Sequence, residues 1–437
     1  MTDLAGDESK LKPPGAVRDI ARTLEDAGFE TWCVGGAVRD ALLGQAHLDW
    51  DLATAATPPQ VRKLFKRTVP VGIKFGTIGV LDPQGVMHEV TTFRRDVRTD
   101  GRHAEVEFGA SLEEDLARRD FTVNAIAYSA SRRVLHDPFG GREDLARKVI
   151  RAVGKADDRM REDRLRALRA IRFAARFGFA IEPDTWRAIV ASAPHLERLS
   201  MERVKQELEK TMEQVARPRE ALTLWRASGA LQQLVPALAT VSDVTLASID
   251  AMAQPQGAAH PERRIDRFTA LFAELSPKEA ARALKALRSS NSDVSWVADV
   301  IERWRAVEPT LRAVLSANGR APDLTVRRWV AVTGRLRVGA VMRLAAARFA
   351  AERAAGLPAP TAAAMASAYR RMSRAAFRDP VEIGDLAVDG DDLRGAGVPP
   401  GPRMGTTLHA LLEWVLEDPA RNTRDALLAH VRESAAG

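Results

Sequence analysis

Cysteine is nearly absent from this 437-residue chain. Cys33 stands alone, so no intrachain disulfide and no cysteine-rich zinc site can form, a usage that fits a reducing compartment. Also missing is any uncharged run near the roughly 18 residues that a membrane helix needs. The polar start MTDLAGDESKLKPP carries no apolar signal core, and the expected location is cytoplasmic, with no membrane partner. Fixed-period repeats and low-complexity segments are lacking, and strand-like runs become scarce beyond Arg151. What remains is ordinary for a folded protein, with 46% hydrophobic and 28% charged residues. At roughly 100–200 residues per domain, the length predicts two to four domains.

Charge is unevenly spread. The net balance is +7, but Arg312 to Arg378 holds thirteen Arg, no Lys and only Asp323 and Glu352 as acids, a net +11. Asp379 to Gly437 holds eleven acids against five Arg, a net −6. A polyanion is expected to approach the first of these segments, and Arg343 and Arg348 are chosen from it as contacts. Trp296, Trp304 and Trp329, standing singly, read as core.

From about residue 15 to 150 helical patterns mix with short β-branched runs such as Thr77–Val80 and Val86–Thr92, which predicts an α/β region. Beyond it, Ala, Leu and Arg at helical spacing predict an almost wholly α remainder. Gln254–Pro261 and Gly356–Pro360 read as loops or linkers.

The run Thr31-Trp-Cys-Val-Gly-Gly-Ala-Val-Arg-Asp40 leads from a strand through Gly35 and Gly36 into a helix, a turn that lets backbone N–H groups approach a phosphate. In His47-Leu-Asp-Trp-Asp-Leu52, residues two apart on a strand share a face, which would place Asp49 beside Asp51. Two carboxylates side by side repel unless cations sit between them, and Glu89 on a later strand would supply a third hard oxygen of the kind Mg²⁺ prefers. Three carboxylates on one sheet suggest a pair of metal ions serving in-line displacement at phosphorus. His136-Asp137 spells the doublet of metal phosphohydrolases but has no second pair in register and reads as structural.

Taken together, these residues resemble the class II tRNA nucleotidyltransferases, or CCA-adding enzymes, of the polymerase β nucleotidyltransferase superfamily. The resemblance rests on Gly35-Gly36-Ala-Val-Arg39-Asp40 with Asp49-x-Asp51, on Phe75-Gly76-Thr77 with Glu89–Arg94, and on Asp115–Asn124. It implies two Mg²⁺ ions with CTP and ATP as substrates. Asp49, Asp51 and Glu89 would be catalytic, with Asp49 and Asp51 as metal ligands. Gly35, Gly36, Arg39, Arg118, Arg119, Asp120 and Asn124 would bind the nucleotide. Asp137–Leu145 would form a connector with a glycine hinge. Arg161–Arg166 opens an amphipathic helix on which Asp163 and Arg166, three apart, share a face; by spacing alone they read as a surface salt bridge. The resemblance makes them a protein template, with Arg169 beside them and Glu162 orienting Arg166 or Arg169. Cytosine and adenine each show an amino donor beside a ring acceptor, so Asp163 can accept and Arg166 donate, whereas uracil and guanine present like partners. Glu202, Arg203 and Glu207 would brace this helix.

The resemblance implies that the charged run Arg94–Leu112 is a flexible loop that would support the switch from C to A addition. Residues 226–240 look like the start of a body domain, and Gly384–Leu393, Gly401–Gly405 and Arg421–Arg424 look like a tail, with contact expected from Arg403 and a helix beginning after Gly405. The implied architecture is an α/β nucleotidyltransferase head (1–150) followed by an all-α neck (151–215), body (216–310) and tail (311–437). Body and tail would grip the acceptor and TΨC arms of tRNA, with no obligate protein partner. A poly(A) polymerase, a partial CC- or A-adding enzyme and a non-catalytic RNA-binding protein are the competing readings.

Overall fold

The computed structural model describes residues 10–45, 49–99, 104–252, 261–317 and 320–436. The start of the chain, His47 and Leu48, the tip of the 94–112 run and the linker from Gln254 to residue 260 lie outside the described residues. The backbone divides into two compact units, Met1–Val215 with Glu220–Pro236, and Ala216–Arg219 with Ala237–Gly437. Residues 1–215, expected as head and neck, fall in the first unit, as do residues 220–236 of the expected body.

The first unit is built on a mixed sheet. Its strands are β1 (Thr31–Val34), β2 (Asp51–Thr54), β3 (Thr68–Gly72), β4 (Thr77–Leu81) and β5 (Met87–Thr92). After the ribbon strands β6 (Arg94–Thr99) and β7 (Ala104–Phe108) come β8 (Ala127–Ser129) and β9 (Val134–His136). The order is β3-β4-β5-β2-β1-β8-β9. Only β2 and β5 run parallel, with Leu52 opposite Val90. Trp32, Val34, Ala53, Phe93 and Leu116 pack on one side as a core, and Thr31, Cys33, Leu52 and Thr54 are buried on the other.

The 94–112 run departs from expectation: β6 and β7 pair antiparallel from Arg94 opposite Phe108 to Thr99 opposite Ala104, with a bulge between Asp96 and Arg98. Arg95 at its base bonds Glu107 and Glu114. Ser111 and Glu114 then close a capping box that starts the helix Leu112–Ala117. The helix Leu165–Phe177 crosses behind the site and ends at Gly178, whose φ of +67 terminates it.

Past Arg151 the only strand among the described residues is Ala180–Ile181, paired with Val149–Ile150, so the described remainder is helical as expected. In the second unit the 26-residue helix Asn291–Ser316 buries Val297, Ile301, Trp304 and Leu311. Trp329 is buried and donates its indole N–H to Thr310 Oγ1 at 3.0 Å. Trp296, expected in the core, is half-buried beneath Arg337 instead. No helix among the described residues is long and apolar enough to cross a membrane.

Candidate active site

Where β1 ends and β2 begins, the sheet opens into a cleft of about 380 Å³. Asp51 is the first residue of β2 and lies opposite Val34. The parallel β2–β5 register brings Glu89 to its side. Asp49 does not share the strand face predicted for it: it precedes the strand and is exposed, because β2 starts only at Asp51. It still acts electrostatically. Burial first, then the charges of Asp49 and Glu89, push the Asp51 carboxyl up to about 6, against the pull of Arg119. Among the described residues no three Asp, Glu, His or Cys side chains form a ready cation cage. The donors nevertheless suit a hard cation: these are carboxylate oxygens whose mutual repulsion a positive ion would relieve.

The opposite wall is arginine. Asp115, almost wholly buried, holds Arg118 through its Nε (3.0 Å) and Nη2 (2.9 Å) and Arg119 at 3.3 Å. Burial would raise its pKa, but Arg119 and Arg118 hold it below the usual range. Both guanidiniums are thus fixed at the cleft, with donors left over. Gly35, at φ +76, lets the turn before the helix Gly36–Leu42 pass Arg119: a Cβ there would lie 2.9 Å from Nη1. Arg94 and Asp115 line the cleft too, and neither was assigned from the sequence. Arg94 stands in the quoted strand motif, but only the fold shows which face it takes.

Arg39 and Asn124 depart from the nucleotide-binding role expected of them. Arg39 is 4% exposed. It donates to Asp40 at 2.7 Å and to the Asn124 amide oxygen, and lies over the rings of Phe173 (5.2 Å) and Phe177 (4.7 Å). Asn124 Nδ2 in turn donates to Asp120 at 2.9 Å. Asp120 lines the cleft but its oxygens are taken, since Arg169 Nε donates to it at 2.8 Å. Desolvation would raise its pKa, but Arg169 and the Asn124 bond bring it down to about 2. These bonds tie the glycine turn to the helix Leu165–Phe177; Asp120 and Arg169 also line the cleft, whereas Arg39 and Asn124 are buried behind it.

The template pair is placed differently from the shared helix face predicted for it. Asp163 lies between the helix Ala156–Glu162 and the helix Leu165–Phe177, where its Oδ1 accepts the Leu165 N–H at 3.0 Å and its Oδ2 accepts Arg203 at 2.7 Å. Arg166 donates to Glu162 (2.8 Å), the Arg159 carbonyl (3.3 Å) and the Arg118 carbonyl (2.8 Å). The two make no ion pair with each other, yet both line the cleft. Glu162 thus holds Arg166, and it pairs with Arg159 as well. Of the expected braces, Arg203 reaches Asp163, and Glu207 accepts from Arg172 at 2.7 Å. His136-Asp137 is structural: Asp137 accepts the N–H groups of Gly141 and Arg142, starting the helix Gly141–Arg147.

In the second unit the basic segment is largely neutralised. Arg343 pairs with Asp266 at 2.8 Å and Arg348 with Glu274 at 3.0 Å, so neither is the free phosphate contact expected. Arg328 meets Glu413 and Arg335 meets Asp385, which brings the acidic tail onto the basic segment. The helix Ala362–Arg378 keeps a different face. Tyr369, Arg370, Arg374, Phe377 and Arg378 are exposed along it, Phe377 at 83%, and the three arginines have no ion pair among the described residues. The tail helix starts at Pro402, ahead of Gly405 where it was expected.

Comparison with known proteins agrees with this arrangement. The family model "Poly A polymerase head domain" matches residues 31–151 and "Probable RNA and SrmB- binding site of polymerase A" matches 178–242. The CCA-adding enzyme of Geobacillus kaustophilus is 36% identical over 97% of this chain and 98% of its own. That of Latilactobacillus sakei is 36% identical over 94% and 95%. The crystal structure of the Bacillus stearothermophilus CCA-adding enzyme in complex with CTP superimposes with a TM-score of 0.74 at 33% identity, covering 98% of each chain. A strand-edge carboxylate pair faced by two anchored arginines, on a chain that these relatives match from end to end, means that this protein belongs to the family of CCA-adding enzymes.

Proposed function

We propose that this chain completes the 3′ end of tRNA by adding CCA from CTP and ATP. The observation that carries the reading is the convergence of three kinds of group on one cleft: Asp51 with Glu89, the fixed arginines, and Asp163 with Arg166. Asp51 and Glu89, with Asp49 close enough to act on Asp51 by its charge, are the residues that would hold Mg²⁺. When bound, the metal would activate the tRNA 3′-hydroxyl and offset charge on the departing pyrophosphate. Arg118 and Arg119 then face the triphosphate, where a planar fork suits paired oxygens.

Base choice falls to the template pair. Of the five guanidinium donors of Arg166, the bonds to Glu162 and the two carbonyls occupy three. The Nε–H and one Nη2–H remain for a ring-nitrogen acceptor. Each Asp163 oxygen keeps a second lone pair for the exocyclic amino group of cytosine or adenine. UTP would set a carbonyl against the carboxylate and an N–H against the guanidinium. A site that leaves buried polar groups unpaired can discriminate by on the order of 10⁴.

The tRNA arm fits the exposed face of the helix Ala362–Arg378. Arg370, Arg374 and Arg378 recur at every fourth residue and can track phosphates, while Tyr369 and Phe377 offer stacking surfaces. A cytoplasmic setting accords with the single Cys33, which is buried and whose thiol burial pushes up to about 12.

The test is extension of tRNA transcripts ending before CCA, after C and after CC, with CTP, ATP or both. Addition that stops at CCA is the expected result. Long A tails would mean poly(A) polymerase, and C-only or A-only products a partial enzyme. Asp51→Asn should abolish incorporation while tRNA binding persists; a fully active variant would remove Asp51 from the reaction.

A further inference from the structure

A second concave surface lies in the first unit, at the other end of the sheet. Val34 faces Ala127 and Cys33 faces Tyr128 across the antiparallel β1–β8 pair, so the β8–β9 turn sits beside the start of β1, away from the catalytic edge at Val34 and Asp51. Here Lys12, Arg18, Arg22 and Arg133 surround a hollow of about 750 Å³, with Tyr128 in its wall. It shares no lining residue with the catalytic cleft and is about twice its volume.

Three features single this hollow out. Among the described residues no carboxylate lines it and none of its four cations has an ion pair. The contrast is with the cleft, where Asp115 and Asp120 anchor every arginine they touch. Arg18 and Arg22 stand one turn apart on the helix Gly15–Asp26, a spacing at which like charges repel. The N-cap of that helix, Pro14, follows the lining residue Pro13 and provides no side-chain cap, so the first backbone N–H groups add positive potential near the hollow. Finally, the turn separates two neighbouring arginines. Arg132 lies over Trp32 at 4.4 Å, while Arg133 lines the hollow from a left-handed φ of +56 that a non-glycine residue rarely adopts.

We propose that this hollow is a phosphate-binding site separate from the catalytic cleft, taking a phosphate-bearing ligand of nucleotide size. Three guanidinium forks and one ammonium around a space of this volume suit several phosphate oxygens at once. A bound anion would relieve the repulsion among the four cations. The ligand chemistry is shared by two sources, a free nucleoside triphosphate and a phosphodiester segment of RNA.

The test uses the full chain and the charge-reversed variant Arg18→Glu/Arg22→Glu/Arg133→Glu, with circular dichroism and thermal unfolding as fold controls. Equilibrium dialysis counts bound ATP, and filter binding measures tRNA affinity between 50 and 200 mM salt, concentrations over which counterion release is large. Two ATP sites in the parent and one in the variant would assign a free nucleotide. One ATP site in both, with tRNA bound at least tenfold more weakly and a shallower salt slope in the variant, would assign RNA. Should the triple variant misfold, Arg133→Gly, which suits the left-handed backbone, and Arg22→Gln take its place, with a threefold weakening expected from each. Unchanged ATP stoichiometry together with an unchanged tRNA salt slope in folded variants would overturn the proposal.

Discussion

Arg39 separates two accounts of the glycine turn. As part of the Gly35–Asp40 motif it was expected to touch phosphates; in the structure it is interior, held by Asp40 and Asn124 between Phe173 and Phe177. Consider Arg39→Met, which keeps the length and the ring contacts but removes the charge and the donors. Asp40, 1% exposed, would lose the guanidinium beside it while Arg176 stays at 3.5 Å, and the Asn124 amide oxygen would lose its donor. Removing one partner of a buried pair costs about 3–5 kcal/mol. For a unit of this size each kcal/mol moves the melting point by about 2–4 °C, so even the lower figure predicts a fall of roughly 6–12 °C. Thermal unfolding followed by tryptophan fluorescence, beside the KM for CTP, checks this. A variant that melts within about 1 °C of the parent while its KM for CTP rises tenfold would refute the interior role and restore the phosphate contact.

Three more outcomes can be measured. Gly35→Ala forces a side chain into φ +76 and to within 2.9 Å of Arg119; the strain is about 1–3 kcal/mol, and kcat/KM for CTP should fall about tenfold or more, an unaffected value showing that Arg119 does not need that approach. Glu274 accepts from Ser242 and Arg348, and although burial opposes it, the Ser242 hydroxyl and the other donors bring its pKa from 4.5 to about 2. A depressed carboxylate stabilises above its unfolded pKa and loses that contribution as the pH falls, so the melting-point gap between the parent and Glu274→Gln should be full above pH 4.5 and close towards pH 2; a gap that widens on acidification would contradict the assignment. Arg374→Glu should leave the melting point alone, raise the KM for tRNA several-fold and lower the salt slope by about one phosphate, whereas Arg343→Glu, set against Asp266, should chiefly unfold the second unit. Equal effects on tRNA from both would show that formal charge alone decides.

These outcomes bear on how far residues can be read before a fold is known. The α/β-then-α order was legible because periodicity changes near Arg151, and the cleft was legible because Asp51, Glu89, Arg118 and Arg119 stand in local patterns that a strand edge and a capped helix bring together. Three placements were not. Asp49 sits outside β2, since strand ends are set by pairing with β1 and not by composition. Asp163 sits in the break between two helices, because its carboxylate serves the Leu165 N–H and Arg203 instead of continuing the helix. Arg39 turned inward because its partners Asn124, Phe173 and Phe177 are distant in sequence.

The same reason explains the basic segment. A count of +11 over 312–378 adds charges that the fold pairs with acids from outside that stretch, among them Asp266, Glu274, Asp299, Asp385 and Glu413. An arginine already held by a carboxylate must give up that bond before it can take a phosphate, so its net gain from RNA is small. An arginine that faces water alone gives up only hydration and releases a counterion when it binds. Among the described residues, the Arg370–Arg374–Arg378 face and the hollow around Arg18, Arg22 and Arg133 gather guanidiniums without an ion pair, and these are the surfaces we propose for a polyanion. Both carry fewer charges than the segment counted from the sequence, and both leave them available.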